Sequence, residues 1–298
     1  MPSEIKSVAV IGLGLLGASL GLALKKAPFR RLGWARRAET RTWCLQNDVI
    51  DQTADDVRDV IREADLTVLC LPIPAIISFM VRHAAYFKEG SIVTDIGSDK
   101  GVIVAAGEAA LAPYDVKFVG SHPMAGTEKN GCEAAFAELY DNAEIFVTES
   151  SQTDCSAANA VENFWQQLNI AKVRRITPEI HDSLVAHTSH ISHLLALALT
   201  LSVLDCSSDE EEALRYSGCA TGFRDTSRIA SSNPAMWREI IENNTEANLR
   251  ALDNFEKALQ KYRAMIANGD FDGFEREFAK GKNLRDSWME YKNNDKKS

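Results

Sequence analysis

A short apolar strand, a glycine-rich turn and an apolar helix follow one another near the start of the chain, and this order constrains the fold more than any other feature. The strand is Ser7 to Ile11 (SVAVI), the turn is GLGLLG, and the helical pattern continues through Leu24. In such a unit the glycines permit a tight turn, close approach of a pyrophosphate and close helix packing. The amides at the helix N-terminus would hold the phosphates, so the stretch predicts a Rossmann-type dinucleotide-binding domain. The residues predicted to bind the cofactor here are Gly12, Leu13, Gly14, Leu15, Leu16 and Gly17.

The end of the second predicted strand indicates which dinucleotide is bound. NAD-binding units usually place a carboxylate there for the ribose 2′-hydroxyl, whereas an arginine accommodates a 2′-phosphate. Here the strand Arg31 to Ala35 is followed by Arg36 and Arg37, with Thr40 close behind. Guanidinium groups bind phosphate through charge-assisted hydrogen bonds, to which a hydroxyl can add one more. The alternative is two solvated surface arginines. We therefore expect NADP to be preferred, with NAD possible.

Further strands alternate with helical patterns, as in an α/β domain. The run Leu66 to Leu71 is continuously apolar, which is typical of a parallel strand buried on both faces, and Pro72 and Pro74 end it. A loop over the cofactor is expected there. The other predicted strands are Ser91 to Asp95, Lys117 to Val119, Glu144 to Val147 and Ala171 to Ile176. Further cofactor contacts are predicted at Cys70, Leu71, Pro72 and Gly97. The domain is expected to span residues 1–176.

Two candidate catalytic side chains follow neighbouring strands. His122 precedes a proline and is therefore disfavoured in a helix, so its ring is displayed at the end of the strand from Lys117. Ser98 follows the strand that ends at Asp95. Ligands of open α/β sheets bind at the carboxyl ends of the strands, and a hydroxyl, an imidazole and a nicotinamide together suit hydride transfer with a general base. The alternatives are a histidine that caps a loop and a serine that caps a helix.

The second half, residues 177–298, predicts a helical domain. Thr177 and Pro178 are a typical helix start, and the helix is expected to run to about Leu204. A glycine-broken loop is expected from Arg215 to Arg228, followed by a long helix from Pro234 to about Ala267. The histidines His181, His187, His190 and His193 lie on the first of these helices. Three of them recur at steps of three, but each step turns about 300°, so one ion cannot bind all three and no metal site is predicted. We interpret His181 and His187 as structural.

The long helix carries an apolar seam that favours association. Its apolar positions alternate at three and four, as in a coiled coil, although a core stripe has the same spacing. We expect a homodimer through the helical domain. The seam consists of Leu252, Phe255, Leu259, Tyr262 and Ile266.

Composition narrows the class of partner. The net charge is −9 and there is no basic stripe, which argues against nucleic acid. The six cysteines form no CxxC pair and are typical of a reduced cytoplasmic protein. The longest apolar run, Leu194 to Leu199, is far shorter than the roughly 20 residues of a membrane helix. We therefore expect a cytoplasmic protein that binds a small molecule and no membrane.

Taken together, six motifs resemble the prephenate and arogenate dehydrogenase family of tyrosine biosynthesis. They are GLGLLGASL, DIGSDKG, GSHPMAGTEKNG, HTSHISH, GFRDTSRIA and NPAMW, and they cover nearly the whole chain. The resemblance implies that a nicotinamide cofactor takes hydride from the ring carbon that bears a 4-hydroxyl. Loss of the ring carboxylate as carbon dioxide then aromatises the product.

The resemblance also implies roles for individual residues. His122 matches the histidine that accepts the proton of the 4-hydroxyl, Ser98 matches a serine that shares this hydroxyl, and Arg228 matches an arginine that binds a substrate carboxylate. The other matching substrate-binding residues are His190, Thr127, Glu128 and Trp237. Whether prephenate or arogenate is preferred stays open.

Two alternatives are another family of two-domain dehydrogenases and a protein without catalytic activity. Other two-domain hydroxyacid-type NADP dehydrogenases generally use a lysine of the helical domain, and there is no lysine between Arg175 and Arg250. A non-catalytic NADP-sensing regulator would not need His122, Ser98 and Arg228 together.

Overall fold

Seven strands form one sheet within residues 5–127 and 129–295, which are the residues that this computed structural model describes. Their order is β2-β1-β3-β4-β5-β6-β7. The strands are β1 Ser7–Ile11, β2 Arg30–Trp34, β3 Leu66–Leu69, β4 Ile92–Asp95, β5 Lys117–Pro123, β6 Glu144–Thr148 and β7 Lys172–Ile176. Each corresponds to a strand predicted from sequence, and the Rossmann-type α/β fold is confirmed.

Helices cover both faces of this sheet. On β1, Val8 and Val10 join one hydrophobic cluster, while Ala9 and Ile11 join another on the opposite face, as strand alternation requires. The first cluster contains side chains of α1, α2 and α6, and the second contains side chains of α3, α4 and α5. These helices are α1 Leu15–Ala23, α2 Ala38–Gln46, α3 Val57–Glu63, α4 Ile73–His83, α5 Gly101–Leu111 and α6 Cys155–Trp165.

At β1 the order in which successive strands are added to the sheet changes direction. This strand pairs in parallel with β2 on one side and with β3 on the other, while β4 and the later strands follow β3. Ligands of open α/β sheets bind at such a reversal, outside the carboxyl ends of the strands. β6 runs antiparallel to the end of β5, and this register places His122 opposite Phe146. Because β1, β3, β4 and β5 pair in parallel, the glycine turn after β1 and His122 near the end of β5 are at the same edge of the sheet.

The helix predicted from Thr177 to Leu204 is interrupted by a π-turn. It consists of α7 Pro178–Val185, the π-turn Ala186–His190 and α8 Ile191–Leu204. The predicted start is confirmed, because the Thr177 side chain accepts a hydrogen bond from the Ile180 amide. By length and composition alone, Pro178–Leu204 could cross a membrane, with a mean hydropathy of 1.3. Within this segment α7 packs against α5 and β6, and 22% of its most apolar stretch is buried.

The loop predicted from Arg215 to Arg228 is wrong. The segment is helical and consists of parts of α9 Asp209–Gly218 and α10 Thr221–Ser227. Ser208 caps α9 by accepting a hydrogen bond from the Glu211 amide, and the first turn is acidic, which favours the positive end of a helix dipole. The glycines thus end one helix and lie within the next.

Two compact units make up the chain, one ending at Asn244 and one beginning at Thr245. The long helix predicted from Pro234 to Ala267 is broken at this point into α11 Pro234–Asn243 and α12 Thr245–Ala267, since Asn244 leaves helical geometry. In the second unit α12 packs against α13 Phe271–Asp295, with Lys261 paired to Glu277 at 2.8 Å. The domain boundary after Ile176 stays a prediction.

Candidate active site

The three glycines of the first turn have different surroundings. Gly12 has a φ of 101°, and a Cβ there would collide with the carbonyl oxygen of Cys70. A Cβ on Gly17 would collide with the carbonyl oxygen of Gly12. A Cβ on Gly14 would meet no described atom within 4 Å, and Gly14 caps α1 without a side-chain hydrogen bond. Open space in front of uncapped helix amides fits a pyrophosphate, so the turn is suited to a dinucleotide.

Several predicted cofactor residues line this turn or support it. Leu13 and Leu15 are buried, so only their backbone can face a ligand, whereas Leu16 is half-buried. The Cys70 amide donates to Ile11 O at 2.7 Å, which holds the end of β3 against β1. Gly97 lies in the turn after β4, and its amide donates to Asp95 Oδ2 at 2.8 Å.

The loop predicted after β3 is short, since only Cys70, Leu71 and Pro72 connect β3 to α4. Pro72 is the N-cap of α4, which begins at Ile73, and Pro74 lies in its first turn. Proline is tolerated there because the first helical amides have no partner within the helix. Leu71, which precedes this helix start, has a side-chain methyl beside Gly12. A helix N-terminus and a leucine therefore border the glycine turn.

The end of β2 carries positive charge. Arg36 and Arg37 are exposed, and among the described residues neither guanidinium group makes a hydrogen bond or an ion pair. Thr40 is buried in the first turn of α2. No carboxylate follows β2 in sequence before Glu39, which is also exposed. Two guanidinium groups thus remain available for an anion.

Arg41 was missed by the sequence analysis. Its buried guanidinium donates to Ala35 O at 2.8 Å and to Asp55 Oδ1 at 2.9 Å, and thereby holds the backbone that leads to Arg36. The sequence shows only another arginine in a basic segment. Nothing in the pattern separates this buried cation from its exposed neighbours.

His122 is hydrogen-bonded to a second histidine, which is hydrogen-bonded to a carboxylate. His122 Nδ1 lies 2.9 Å from His181 Nε2, and His181 Nδ1 lies 2.9 Å from Asp182 Oδ1. His181 is fully buried, with its ring edge-to-face against Phe146 at 5.9 Å. The interpretation of His181 as merely structural therefore overlooked a direct contact with the predicted base.

Burial and neighbouring charges set the protonation of this chain. Burial lowers the pKa of His122 well below 6.5, and the nearby His181, Lys100 and His190 lower it further. Burial also lowers the pKa of His181, although Asp182 opposes this. For Asp182, hydrogen bonds from His181 and from two backbone amides outweigh burial and lower the pKa. At neutral pH both rings are neutral and Asp182 is ionised.

The loop that carries Ser98 is fixed from both sides. Asp182 Oδ1 and Oδ2 accept hydrogen bonds from the amides of Lys100 (2.7 Å) and Gly101 (2.8 Å) at the start of α5. The buried Lys100 ammonium forms an ion pair with Asp95 and donates to Ser121 O at 3.0 Å. The N-cap of α5 is Lys100, so the alternative role of Ser98 as a helix cap is wrong. Ser98 is half-buried in the turn after β4.

Asp99 is a buried carboxyl group that the sequence analysis missed. Neither of its oxygens has a hydrogen-bond partner among the described residues. Burial raises the pKa of Asp99 to about 8, and Asp182 adds to the shift, while Lys100 opposes it. His190 Nε2 lies 3.9 Å from Asp99 Oδ1. Asp99 is therefore mainly protonated at neutral pH, next to a predicted substrate residue.

The predicted substrate residues of the helical region form an aromatic group. Trp237 stacks on His193 with ring centroids 3.8 Å apart and meets His190 edge-to-face at 5.8 Å. Arg228 is exposed. Burial of His193 lowers the pKa of that histidine, and the positive charge of Arg228 lowers it further. Arg228, Trp237 and His190 are thus linked through His193, which was not predicted as a site residue.

The segment after β5 supplies Thr127, which is half-buried and accepts a hydrogen bond from the Lys129 amide at 3.5 Å. Glu128 lies outside the described residues. Within the described residues, no three His, Cys, Asp or Glu side chains are grouped as metal ligands would be.

Comparison with known proteins identifies relatives over most of the chain. A family model described as prephenate dehydrogenase, nucleotide-binding domain, matches residues 20–174. A second, described as prephenate dehydrogenase, dimerization domain, matches residues 177–280. A cyclohexadienyl dehydrogenase of Zymomonas mobilis is 34% identical over 270 residues, which are 90% of this chain and 90% of that protein.

Two solved structures share the fold over nearly their whole length. A prephenate dehydrogenase from A. aeolicus, in complex with hydroxyphenyl propionate and NAD+, is 28% identical with a TM-score of 0.87 and covers 96% of this chain and 99% of its own. A Synechocystis arogenate dehydrogenase is 26% identical with a TM-score of 0.84 and covers 95% of this chain and 99% of its own.

Proposed function

Because the chain belongs to the prephenate dehydrogenase family, we propose that it catalyses the NAD(P)-dependent oxidative decarboxylation of prephenate or arogenate. The product would be 4-hydroxyphenylpyruvate or tyrosine. The observation that carries the proposal is the ring of His122, hydrogen-bonded to His181 at the carboxyl edge of the sheet whose glycine turn fits a dinucleotide.

The chemistry requires a base at the substrate hydroxyl. When bound, the oxidised nicotinamide accepts hydride from the ring carbon that bears this hydroxyl. His122 takes the hydroxyl proton, Ser98 donates to or accepts from the same oxygen, and the ring carboxylate leaves as carbon dioxide while its bonding electrons complete the aromatic ring. A neutral imidazole suits this role, because a protonated one has no lone pair to accept the proton.

Binding of the substrate is assigned to the surrounding residues. We propose that Arg228 holds a carboxylate through its planar guanidinium group, since it is exposed and linked through His193 to Trp237 and His190. The aromatic rings would pack against the six-membered ring of the substrate. Thr127 and Glu128 complete the proposed set, Glu128 lying outside the described residues.

We propose that NADP is preferred over NAD. Arg36 and Arg37 are exposed and make no ion pair within the described part of the chain, and Arg41 fixes the backbone just before them. A 2′-phosphate would meet two unneutralised cations there, whereas a ribose 2′-hydroxyl would find no carboxylate immediately after β2.

We also propose a cytoplasmic homodimer. One of the two matching family models is a dimerization domain, and the second compact unit exposes large apolar side chains of α12 and α13 that water would solvate poorly. The helical domain proposed for this role begins after Ile176. The exposed apolar side chains include Leu259, Ile266, Phe278, Leu284 and Trp288.

A turnover assay tests the activity. Purified protein is mixed with prephenate or arogenate and with NADP or NAD, and both the reduced cofactor and the aromatic product are measured. We expect stoichiometric formation of both with at least one pair. Binding of NADP without turnover of either substrate would instead favour a cofactor-sensing regulator. Oxidation of another hydroxyacid alone would favour the wider class of two-domain dehydrogenases.

A further inference from the structure

We propose that Asp182 and His181 are positioning residues that hold His122 as one tautomer, with its proton on Nδ1 and its proton-accepting lone pair on Nε2. The proposal rests on the function proposed above for His122. It assigns the reactive nitrogen and explains why a buried histidine and a carboxylate lie behind the base.

The backbone donors to Asp182 are fixed. Its two oxygens accept hydrogen bonds from the backbone amides of Lys100 and Gly101, which can only donate. An ionised carboxylate has no proton to give. The short contact from Asp182 Oδ1 to His181 Nδ1 therefore requires the proton to be on His181 Nδ1.

The state of His181 then decides that of His122. A neutral imidazole with its proton on Nδ1 can only accept at Nε2. His122 Nδ1, 2.9 Å away, must therefore be the donor of this hydrogen bond. Since His122 is itself neutral, its lone pair is on Nε2, the nitrogen that does not face His181.

A charged His181 would force the opposite tautomer, but its surroundings oppose the charge. The ring is fully buried, which lowers its pKa, and the charge of Lys100 lowers it further, while the carboxylates that favour protonation are Asp182, which is hydrogen-bonded to the ring, and Asp95. Asp95 is itself paired with Lys100. Lys100 thus neutralises Asp95 and also disfavours a positive charge on His181.

Asp182 also connects the two predicted catalytic groups. The amides that it caps begin α5 directly after the loop of Ser98, and its hydrogen bond to His181 leads to His122. Asn244 Nδ2 donates to the backbone oxygen of Asp182 at 2.9 Å and anchors this part of α7. One carboxylate therefore sets the position of the hydroxyl loop and the tautomer of the base.

The decisive measurement needs no substrate. The protein has six histidines, so 15N-labelled histidine gives a small set of ring-nitrogen resonances that single-histidine replacements can assign. At neutral pH we expect His122 to show a protonated Nδ1 and an unprotonated Nε2, and His181 the same pattern. A proton on His122 Nε2 would overturn the proposal whether or not the protein oxidises prephenate. Absence of turnover with the expected tautomer would instead count against the proposed function alone.

Two substitutions of His181 separate positioning from packing, and both leave the Asp182 cap on α5 in place. His181→Leu removes the acceptor, and we expect kcat to fall about 100-fold, because the base is no longer held in one state, with little change in KM. His181→Gln places an amide oxygen near the former Nε2 and should retain kcat within about tenfold of the wild type. The exposed His187, changed to Leu, is the matched control and should leave kcat unaltered. Equal losses in both His181 variants, or none in His181→Leu, would contradict the proposal.

Discussion

Replacing Gly14 with alanine should weaken cofactor binding without weakening the fold. The added Cβ enters space that no described atom occupies, and the φ of −80° at Gly14 is one that alanine adopts freely. The unfolding free energy should therefore stay the same or rise by about 0.4–1 kcal/mol, because the unfolded chain loses entropy. The methyl group would keep a pyrophosphate from the α1 amides, and losing one hydrogen bond to a charged group costs about 1.5–3 kcal/mol, or roughly 10- to 100-fold in affinity.

Gly12→Ala is the matched comparison, since the same methyl group meets a different neighbour. It would collide with Cys70 O, and the φ of 101° adds strain of about 1–3 kcal/mol for a residue with a Cβ. Urea unfolding and NADP titration by fluorescence should show a destabilised Gly12 variant and a stable Gly14 variant with weak binding. A Gly14→Ala protein that binds NADP normally would refute the assignment of this turn to the cofactor.

Three further perturbations test other parts of the site and the assembly. Changing Arg36 and Arg37 together to alanine should reduce NADP affinity by roughly 10- to 100-fold in a titration and leave NAD affinity within about threefold; equal effects on both would remove the case for a 2′-phosphate site. Phe278→Asp, on the exposed face of α13, should convert a dimer to a monomer in sedimentation at micromolar concentration, and a wild-type monomer would disprove the proposed dimer. Asp99 has a pKa raised from 3.8 to about 8, so the native state holds its proton more tightly and loses stability as pH rises through this range. Asp99→Asn should therefore gain stability relative to the wild type between pH 4 and 8 in urea unfolding, and a difference that does not grow with pH would show that Asp99 is ionised.

The strands could be predicted because the signal for each is local. In the run Ser7–Ile11 every position is buried and all but Ser7 are apolar, as burial on both faces favours, and a glycine follows it. His122 could be located for the same reason, since the following proline and the preceding strand fix its backbone. The resemblance to a known family added the roles of these residues.

Contacts between distant parts of the chain could not be predicted in this way. His181 meets His122 across 59 positions, and Asp182 caps α5 across 82 positions, so neither pairing leaves a local pattern. The π-turn after Val185 and the break at Asn244 interrupt helices whose apolar spacing continues through them. A carboxyl group such as Asp99 is normally solvated, and its burial depends on the packing of several elements.

The pH dependence of kcat/KM in the wild type and in His122→Gln tests the central claim most directly. The structure shows Nδ1 bonded to His181, so glutamine, whose amide reaches the Nε2 position, keeps a hydrogen bond to the substrate and removes only the base. In the wild type, kcat/KM for the preferred substrate should fall at acid pH along a single titration below pH 6.5, because burial lowers the pKa of His122. In His122→Gln this acid limb should vanish, while kcat falls by about 10²- to 10⁴-fold and KM changes little. A variant that keeps near-normal kcat, or that keeps the acid limb, would contradict the assignment of His122 as the base.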